Sequence, residues 1–403
     1  MAELSAAPGV PVRNLSLATV FAAVSGFVVL WVAQWALDTG TEYRYFAAFW
    51  GLFFASAGLI DGLTHETTRA VAGARDSGRS GTANPWRFGG LLAAAVLVVG
   101  LAAGVLFMGQ VVPTRPGTAT GLLVFGLVSY VLQAALSGIL NGSRLWDRYA
   151  ALVALDSGIR LVLALIAWVA GWGLEVFLVI TVIGAASWLV FLRADVRAAV
   201  DTNSQVFARR VVSAMLASGA SAALITGFPA AANAAFDFSE GAAVSAIINA
   251  VILTRAPVLV PLQRFQSALV VRFVEKRERI YAALAAPLAA VLAVGAAGAA
   301  AAWLIGPVIL RLAFKPEMAV AGPVLAALTF ASAFMGALMI TGVAVLAQER
   351  HGWYVAGWLA ASVVSFALMF TLPYGVAATV IIALFAGPVA GAAVHAAGLS
   401  RSV

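Results

Sequence analysis

The chain of 403 residues is 63% apolar and only 10% charged, with a mean hydropathy of +1.00. A soluble protein carries about 25% charged residues, so most of this chain must lie in lipid. Cysteine is absent, which excludes disulfides and thiolate metal sites. The net charge of +7 comes almost wholly from Arg, with Lys276 and Lys315 the only lysines. No basic run is interleaved with aromatics, so cytoplasmic loop charge accounts for the excess and no nucleic-acid partner is expected.

Apolar runs near the ~20 residues needed to cross a bilayer fall at about 15–37, 45–64, 88–112, 119–140, 149–171, 174–193, 209–229, 241–262, 281–305, 319–347, 352–372 and 375–397. These predict an all-α polytopic membrane protein of about twelve transmembrane helices. The first run is longer than a signal-peptide core and reads as a retained span. Two places are candidates for a kinked or broken helix, because each proline ring removes a backbone donor. They are Pro257 and Pro261 in the eighth run, and the stretch from Ile305 to Leu310 after the ninth.

Basic loop residues set the orientation. On the side shared with the N-terminus lie Arg13, then Arg69, Arg75, Arg79 and Arg87, then Arg144 and Arg148, then Arg193, Arg197, Arg209 and Arg210. The second half adds Arg264, Arg272, Lys276, Arg277 and Arg279, then Arg350, then Arg401, whereas only Arg44, Arg115, Arg311 and Lys315 face the other side. Both termini are therefore expected in the cytoplasm. Asp61 in the second span and Arg255 in the eighth are each followed by a basic loop. This pattern suggests two six-span halves, an N-terminal lobe over residues 1–200 and a C-terminal lobe over 201–403.

Charges at bilayer depth are costly and usually face a water-filled cavity or a partner. Arg255 sits near mid-membrane, with Arg264, the nearest cytoplasmic charge, about 13 Å further along the helix. It reads as lining an aqueous cavity of a transporter, or alternatively as an ion-pair partner of Asp61 or Asp156. Arg160 is also near mid-membrane, four residues after Asp156; the two form either a self-neutralising pair or a cavity cation oriented by a carboxylate. Asp61 lies toward the cytoplasmic end of its span, near His65, Glu66 and Arg69. It is a candidate for ion coupling together with Asp156, or else an interfacial carboxylate. Arg69 and Arg264 at the cytoplasmic ends, with the amides Gln34, Gln133 and Asn249, complete the candidate substrate-binding set; such amides also serve as helix–helix contacts. No phosphate-binding Gly-rich loop is present, and His65, His351 and His395 form no metal motif, so no cofactor or metal is expected.

Three stretches carry a resemblance. They are YFAAFWGLFFASAGLIDGLTHETTRAV, LSGILNGSRLWDRYAALVALDSGIRLVLAL and GPVILRLAFKPEMAVAGPVLAALTFASAFMGALMITGVAVLAQER. They resemble the second span, the fourth-to-fifth and the ninth-to-tenth span regions of bacterial polysaccharide exporters. Those exporters belong to the multidrug/oligosaccharidyl-lipid/polysaccharide (MOP) flippase superfamily. The resemblance implies two six-helix lobes forming a V around a central cavity that opens alternately to either side. It implies a non-enzymatic flippase for a polyprenyl-(pyro)phosphate-linked saccharide in the bacterial plasma membrane, serving cell-envelope assembly. Arg160 and Arg255 would receive the (pyro)phosphate, and an H⁺ or Na⁺ gradient or the membrane potential would drive transport. Membrane lipids and cell-envelope glycosyltransferases are the expected partners of a monomer. Twelve spans rather than fourteen depart from the peptidoglycan-precursor branch. An ion-coupled drug antiporter of the same superfamily is the alternative. A membrane glycosyltransferase using Asp38 and Glu42 has only a loop of about seven residues to hold its acceptor.

The topology is testable because the chain offers a cysteine-free background. Single cysteines near Arg75, Arg197 or Arg277 should resist an impermeant thiol reagent added to intact cells. Labelling of any of them from outside would overturn the twelve-span arrangement.

Overall fold

The computed structural model describes the backbone of residues 10–192 and 198–400. Arg193, Arg197 and Arg401 lie outside the described residues, as does the side chain of Arg264. The chain is all-helical. In order come α1 (Val10–Ala36), α2 (Glu42–Ser77), α3 (Pro85–Val111), α4 (Pro116–Gly142), α5 (Trp146–Val169) and α6 (Leu174–Ile183), which continues as a 3-10 segment, Gly184–Phe191. Then follow α7 (Ser204–Ile225), α8 (Phe228–Ala235), α9 (Gly241–Glu275), α10 (Ile280–Ala313), α11 (Gly322–Ala347), α12 (His351–Thr371) and α13 (Val376–Ser400). Among the described residues 11 helices are long and apolar enough to span a bilayer, and the bent pair of α7 and α8 makes up to 12. The expected span number and all-α class stand.

The chain clusters into two compact units that interleave along the sequence. One holds residues 1–36 and 56–219, the other 37–55 and 220–403. The sequence had suggested one cut, after residue 200. Helices α2 and α7 each contribute residues to both units.

In the first unit α1 packs on α5, and α3 on α4. The approach of α4 to α2 depends on Gly138 and Gly142, a small-x-x-x-small pair of the kind that lets membrane helices touch. A Cβ at Gly138 would lie 2.5 Å from Thr67 and 2.9 Å from the Thr64 carbonyl, and one at Gly142 2.6 Å from Val71. The Thr64 hydroxyl donates across this contact to the Ala134 carbonyl at 3.1 Å. In the second unit α11 is the central helix, touching α9, α10, α12 and α13.

The interruptions fall elsewhere than expected. Helix α9 continues through Pro257 and Pro261, and α10 through Pro287 and Pro307, so neither expected break occurs. Membrane helices absorb such prolines when neighbours re-satisfy the freed carbonyls. The chain breaks at Thr226–Gly227, with a 54° bend between α7 and α8. There Gly227 allows a close approach, since a Cβ would lie 2.5 Å from the Ala223 carbonyl oxygen, and Pro229 at the start of α8 removes the N–H that the Ile225 carbonyl would otherwise receive. The Thr226 and Gly227 amides both fold back to the Ala222 carbonyl, at 2.9 and 3.1 Å.

Arg44 secures the far end of α8. The sequence placed it in an outer loop, but only 1% of its surface is exposed. Its Nε donates to Asn233 Oδ1 at 2.5 Å and Nη1 to the Asp237 carbonyl at 2.8 Å. Its Nη2 donates to the Asn233 carbonyl at 2.7 Å and to that of Phe236. A cation there meets the orphan carbonyls and the negative end of the helix dipole. Arg44→Ala should lower stability in detergent by about 3 kcal/mol or more, since several buried acceptors lose their donor together. Arg44→Lys should recover little, because one ammonium cannot replace a planar fork. Thermal unfolding midpoints of the three proteins check both outcomes.

Candidate functional site

Each unit carries its own intramembrane polar site. In the first, the close α2–α4 contact sets Tyr130 of α4 against Asp61 of α2, and the phenol donates to the carboxylate at 2.7 Å. Asp156 also lies within electrostatic reach of Tyr130. Gln133 is three residues on from Tyr130, on the same face of α4. It is buried, and its Oε1 has no partner among the described residues. Asp61, Asp156, Arg160 and Gln133, four of the residues singled out from the sequence, thus share one region. Tyr130 was missed. Its signal was a phenol in an otherwise apolar span, one helical turn from an amide.

The Asp156–Arg160 pair is formed as its spacing predicts, with Nη1 2.7 Å from Oδ2. Arg160 also donates from Nε to the Thr181 carbonyl at 3.0 Å, beside the point where α6 gives way to the 3-10 segment. Gly184 makes room for the pair, since a Cβ there would lie 2.5 Å from Asp156 Oδ1 and 2.6 Å from Arg160 Cζ.

Two other candidates serve different surroundings. Arg69 is enclosed by carboxylates: Nη2 lies 2.7 Å from Glu66 Oε1, and Nη1 2.9 Å from Asp201 Oδ2. This network fastens α2 to the segment before α7, where the Asp201 amide also donates to the Ala70 carbonyl at 3.0 Å. Gln34 is fully buried in α1.

In the second unit Arg255 of α9 is 7% exposed. Its Nη1 donates to the carbonyls of Leu224 at 3.3 Å and Ile225 at 3.1 Å, the last residues of α7. Its guanidinium stands 5.0 Å above the Phe228 ring, a cation–π contact. Arg255 therefore supplies the donors that the break at Gly227–Pro229 withdrew. Its Nη2 has no partner among the described residues, and no described carboxylate forms an ion pair with it. Arg160 is neutralised; Arg255 is a buried cation with no described ion-pair partner and one unpartnered nitrogen. Asn249, on the same helix, is buried with an unpartnered Nδ2. It stands six residues from Arg255, about 120° around the axis.

Outside the spans, Asp38 accepts from the amide and the hydroxyl of Thr41, both at 2.8 Å. The Thr41 hydroxyl foremost, aided by backbone amides, holds the Asp38 carboxyl below its usual range. Its contacts are those of a turn leading into α2.

No protein-family model matches the chain. It is 36% identical over 400 residues to the uncharacterized protein Rv3630 of Mycobacterium tuberculosis, covering 97% of this chain and 92% of that protein. It is likewise 36% identical over 410 residues to the uncharacterized protein Rv1510 of the same species, covering 98% and 94%. The chain belongs to their family. Among solved structures, a multidrug resistance MATE family transporter of the MOP superfamily in its inward-facing conformation superposes with a TM-score of 0.71. It shares 15% identity, and the match covers 97% of this chain and 98% of that one. Lipid II flippase MurJ in an inward closed conformation gives 0.68 at 14% identity, covering 96% and 87%. A MOP superfamily transporter from Pyrococcus furiosus, described by the reverse polarity of its binding pocket, gives 0.60 at 18% identity, covering 97% and 96%. This multi-pass membrane protein has the MOP fold, as the resemblance implied.

The Asp156–Arg160 pair yields a stability test. Asp156→Ala should destabilise the protein by about 3–5 kcal/mol, because it leaves a buried guanidinium uncompensated. Replacing both residues (Asp156→Leu with Arg160→Met) should recover most of that loss. Unfolding of the single and double variants in one detergent provides the comparison.

Proposed function

We propose that the protein is a flippase. It carries a polyprenyl-(pyro)phosphate-linked saccharide from the cytoplasmic to the outer leaflet of the bacterial plasma membrane by alternating access, for cell-envelope polysaccharide or glycolipid assembly. The observation that carries this reading is Arg255. A buried cation is normally paired or bound to something, and here one guanidinium edge has no partner among the described residues. A phosphate oxygen is the acceptor such an edge would take once the site opens, because charge-assisted bonds from arginine to phosphate are short and strong. Arg160 is occupied by Asp156, so its part is to shape the site rather than to supply free charge. The coupling group in this reading is Asp61, whose single phenolic donor leaves it able to exchange a cation or proton.

The Asp61–Tyr130 contact also favours a second reading, the ion-coupled antiporter of small molecules. Binding separates the two. Purified full-length protein should bind a short-chain polyprenyl diphosphate but not the matching polyprenol. Arg255→Lys, which keeps the charge and one donor for the α7 carbonyls, should weaken that binding about tenfold while the fold persists. Equal binding of the diphosphate and the uncharged alcohol would overturn the flippase reading. Substrate uptake that follows an imposed ion gradient and is lost in Asp61→Asn would then favour the antiporter.

A further inference from the structure

His395 of α13 has no exposed surface, unlike His65 and His351. Its Nδ1 lies 3.0 Å from Thr341 Oγ1 on α11, and its Nε2 lies 3.2 Å from the Tyr354 carbonyl oxygen on α12. The imidazole stacks on the Tyr354 ring at 6.2 Å, with the planes 9° apart. Space for it is provided by Gly357, where any Cβ would overlap the imidazole, and by Gly342, where one would lie 3.3 Å from Cε1.

The hydrogen-bonding partners constrain the protons. A backbone carbonyl only accepts, so Nε2 carries a hydrogen and donates to Tyr354. The Thr341 hydroxyl has a single proton and two directions for it: toward Nδ1, or toward the Leu338 carbonyl at 2.9 Å. Turned to Nδ1, it satisfies the neutral ring. Turned to Leu338, it presents an oxygen lone pair to Nδ1, and a charged imidazolium donates from both nitrogens. One hydroxyl rotation therefore serves both protonation states. Among the described residues no carboxylate forms an ion pair with the ring. The described titratable and charged groups on the surrounding helices are Tyr354 itself and His351 of α12, with Arg350 before them donating to the Gly398 carbonyl; Tyr281 of α10, which donates to the Ala396 carbonyl, and Arg311 near its other end; and Arg255, Glu275 and Arg272 of α9, the last donating to the Ala283 carbonyl. Helix α11 has no charged residue.

We propose that His395 is a proton-binding site at the junction of α11, α12 and α13, with the Thr341 hydroxyl as the element that turns to accept the charged ring. This site shares no hydrogen-bond partner with Arg255 and does not depend on the identity of the transported substrate.

The test is a ¹⁵N-histidine NMR titration of the full-length protein in nanodiscs between about pH 5 and 8.5, the range in which histidines change charge. His65→Gln and His351→Gln variants assign the remaining signal. His395 should pass from an Nε2–H neutral ring to an imidazolium as the pH falls. Thr341→Val keeps the side-chain shape but removes the acceptor, so proton affinity should fall about tenfold, a midpoint lower by about one pH unit. Thr341→Ser should restore it. A ring fixed in one form across the range overturns the proposal, as does a midpoint unmoved in Thr341→Val. The wild-type titration decides by itself should the valine variant fail to fold.

Discussion

In a bilayer every backbone carbonyl needs a donor from within the protein, because the lipid offers none. That constraint acts most sharply at the break between α7 and α8. Gly227 and Pro229 end one helix and begin another, leaving the Leu224 and Ile225 carbonyls without backbone donors. The far end of α8 exposes those of Asn233, Phe236 and Asp237. Two buried arginines answer them, Arg255 at the first end and Arg44 at the second. The second unit thus places two full charges in its interior largely to satisfy backbone. Guanidinium suits the task because its planar fork reaches several acceptors and keeps its charge when dehydrated.

The first unit meets a similar demand with a different electrostatic result. Arg160 also donates to a carbonyl beside a change of helix type, that of Thr181. It comes with Asp156 on its own helix, so the buried charge is cancelled locally. Arg255 has no such companion among the described residues. The difference separates two arginines that look alike at the level of hydropathy: one belongs to a locally neutral pair, the other is a buried cation with no described ion-pair partner. Function in this fold follows from the local accounting of donors and acceptors more than from depth in the membrane.

The family relationship sharpens this contrast. Relatives at 36% identity span nearly the whole chain, whereas solved MOP-fold structures share only 14–18% identity. The fold is therefore shared across wide sequence divergence. Tyr130 and His395 show how polar groups escape notice, since each stands alone in an apolar stretch and gains meaning only from residues on other helices.

The sequence by itself determined the membrane location, the all-α class, the number of spans and the Asp156–Arg160 pair. Those follow from local quantities, namely run length, composition and the i, i+4 geometry of a helix. It also marked Arg255 as unusual, because a charge inside an apolar run is visible without knowing its surroundings. Tertiary structure decided what each polar group does. Pro257, Pro261 and Pro307 looked like breaks, yet their helices continue; Gly227–Pro229 breaks because a glycine and a missing donor coincide at the end of α7. Arg44 looked like a loop charge until α8 ended against it, 189 residues away in sequence. A hydrogen bond depends on which atoms meet across helices, and no periodicity within one span encodes that meeting.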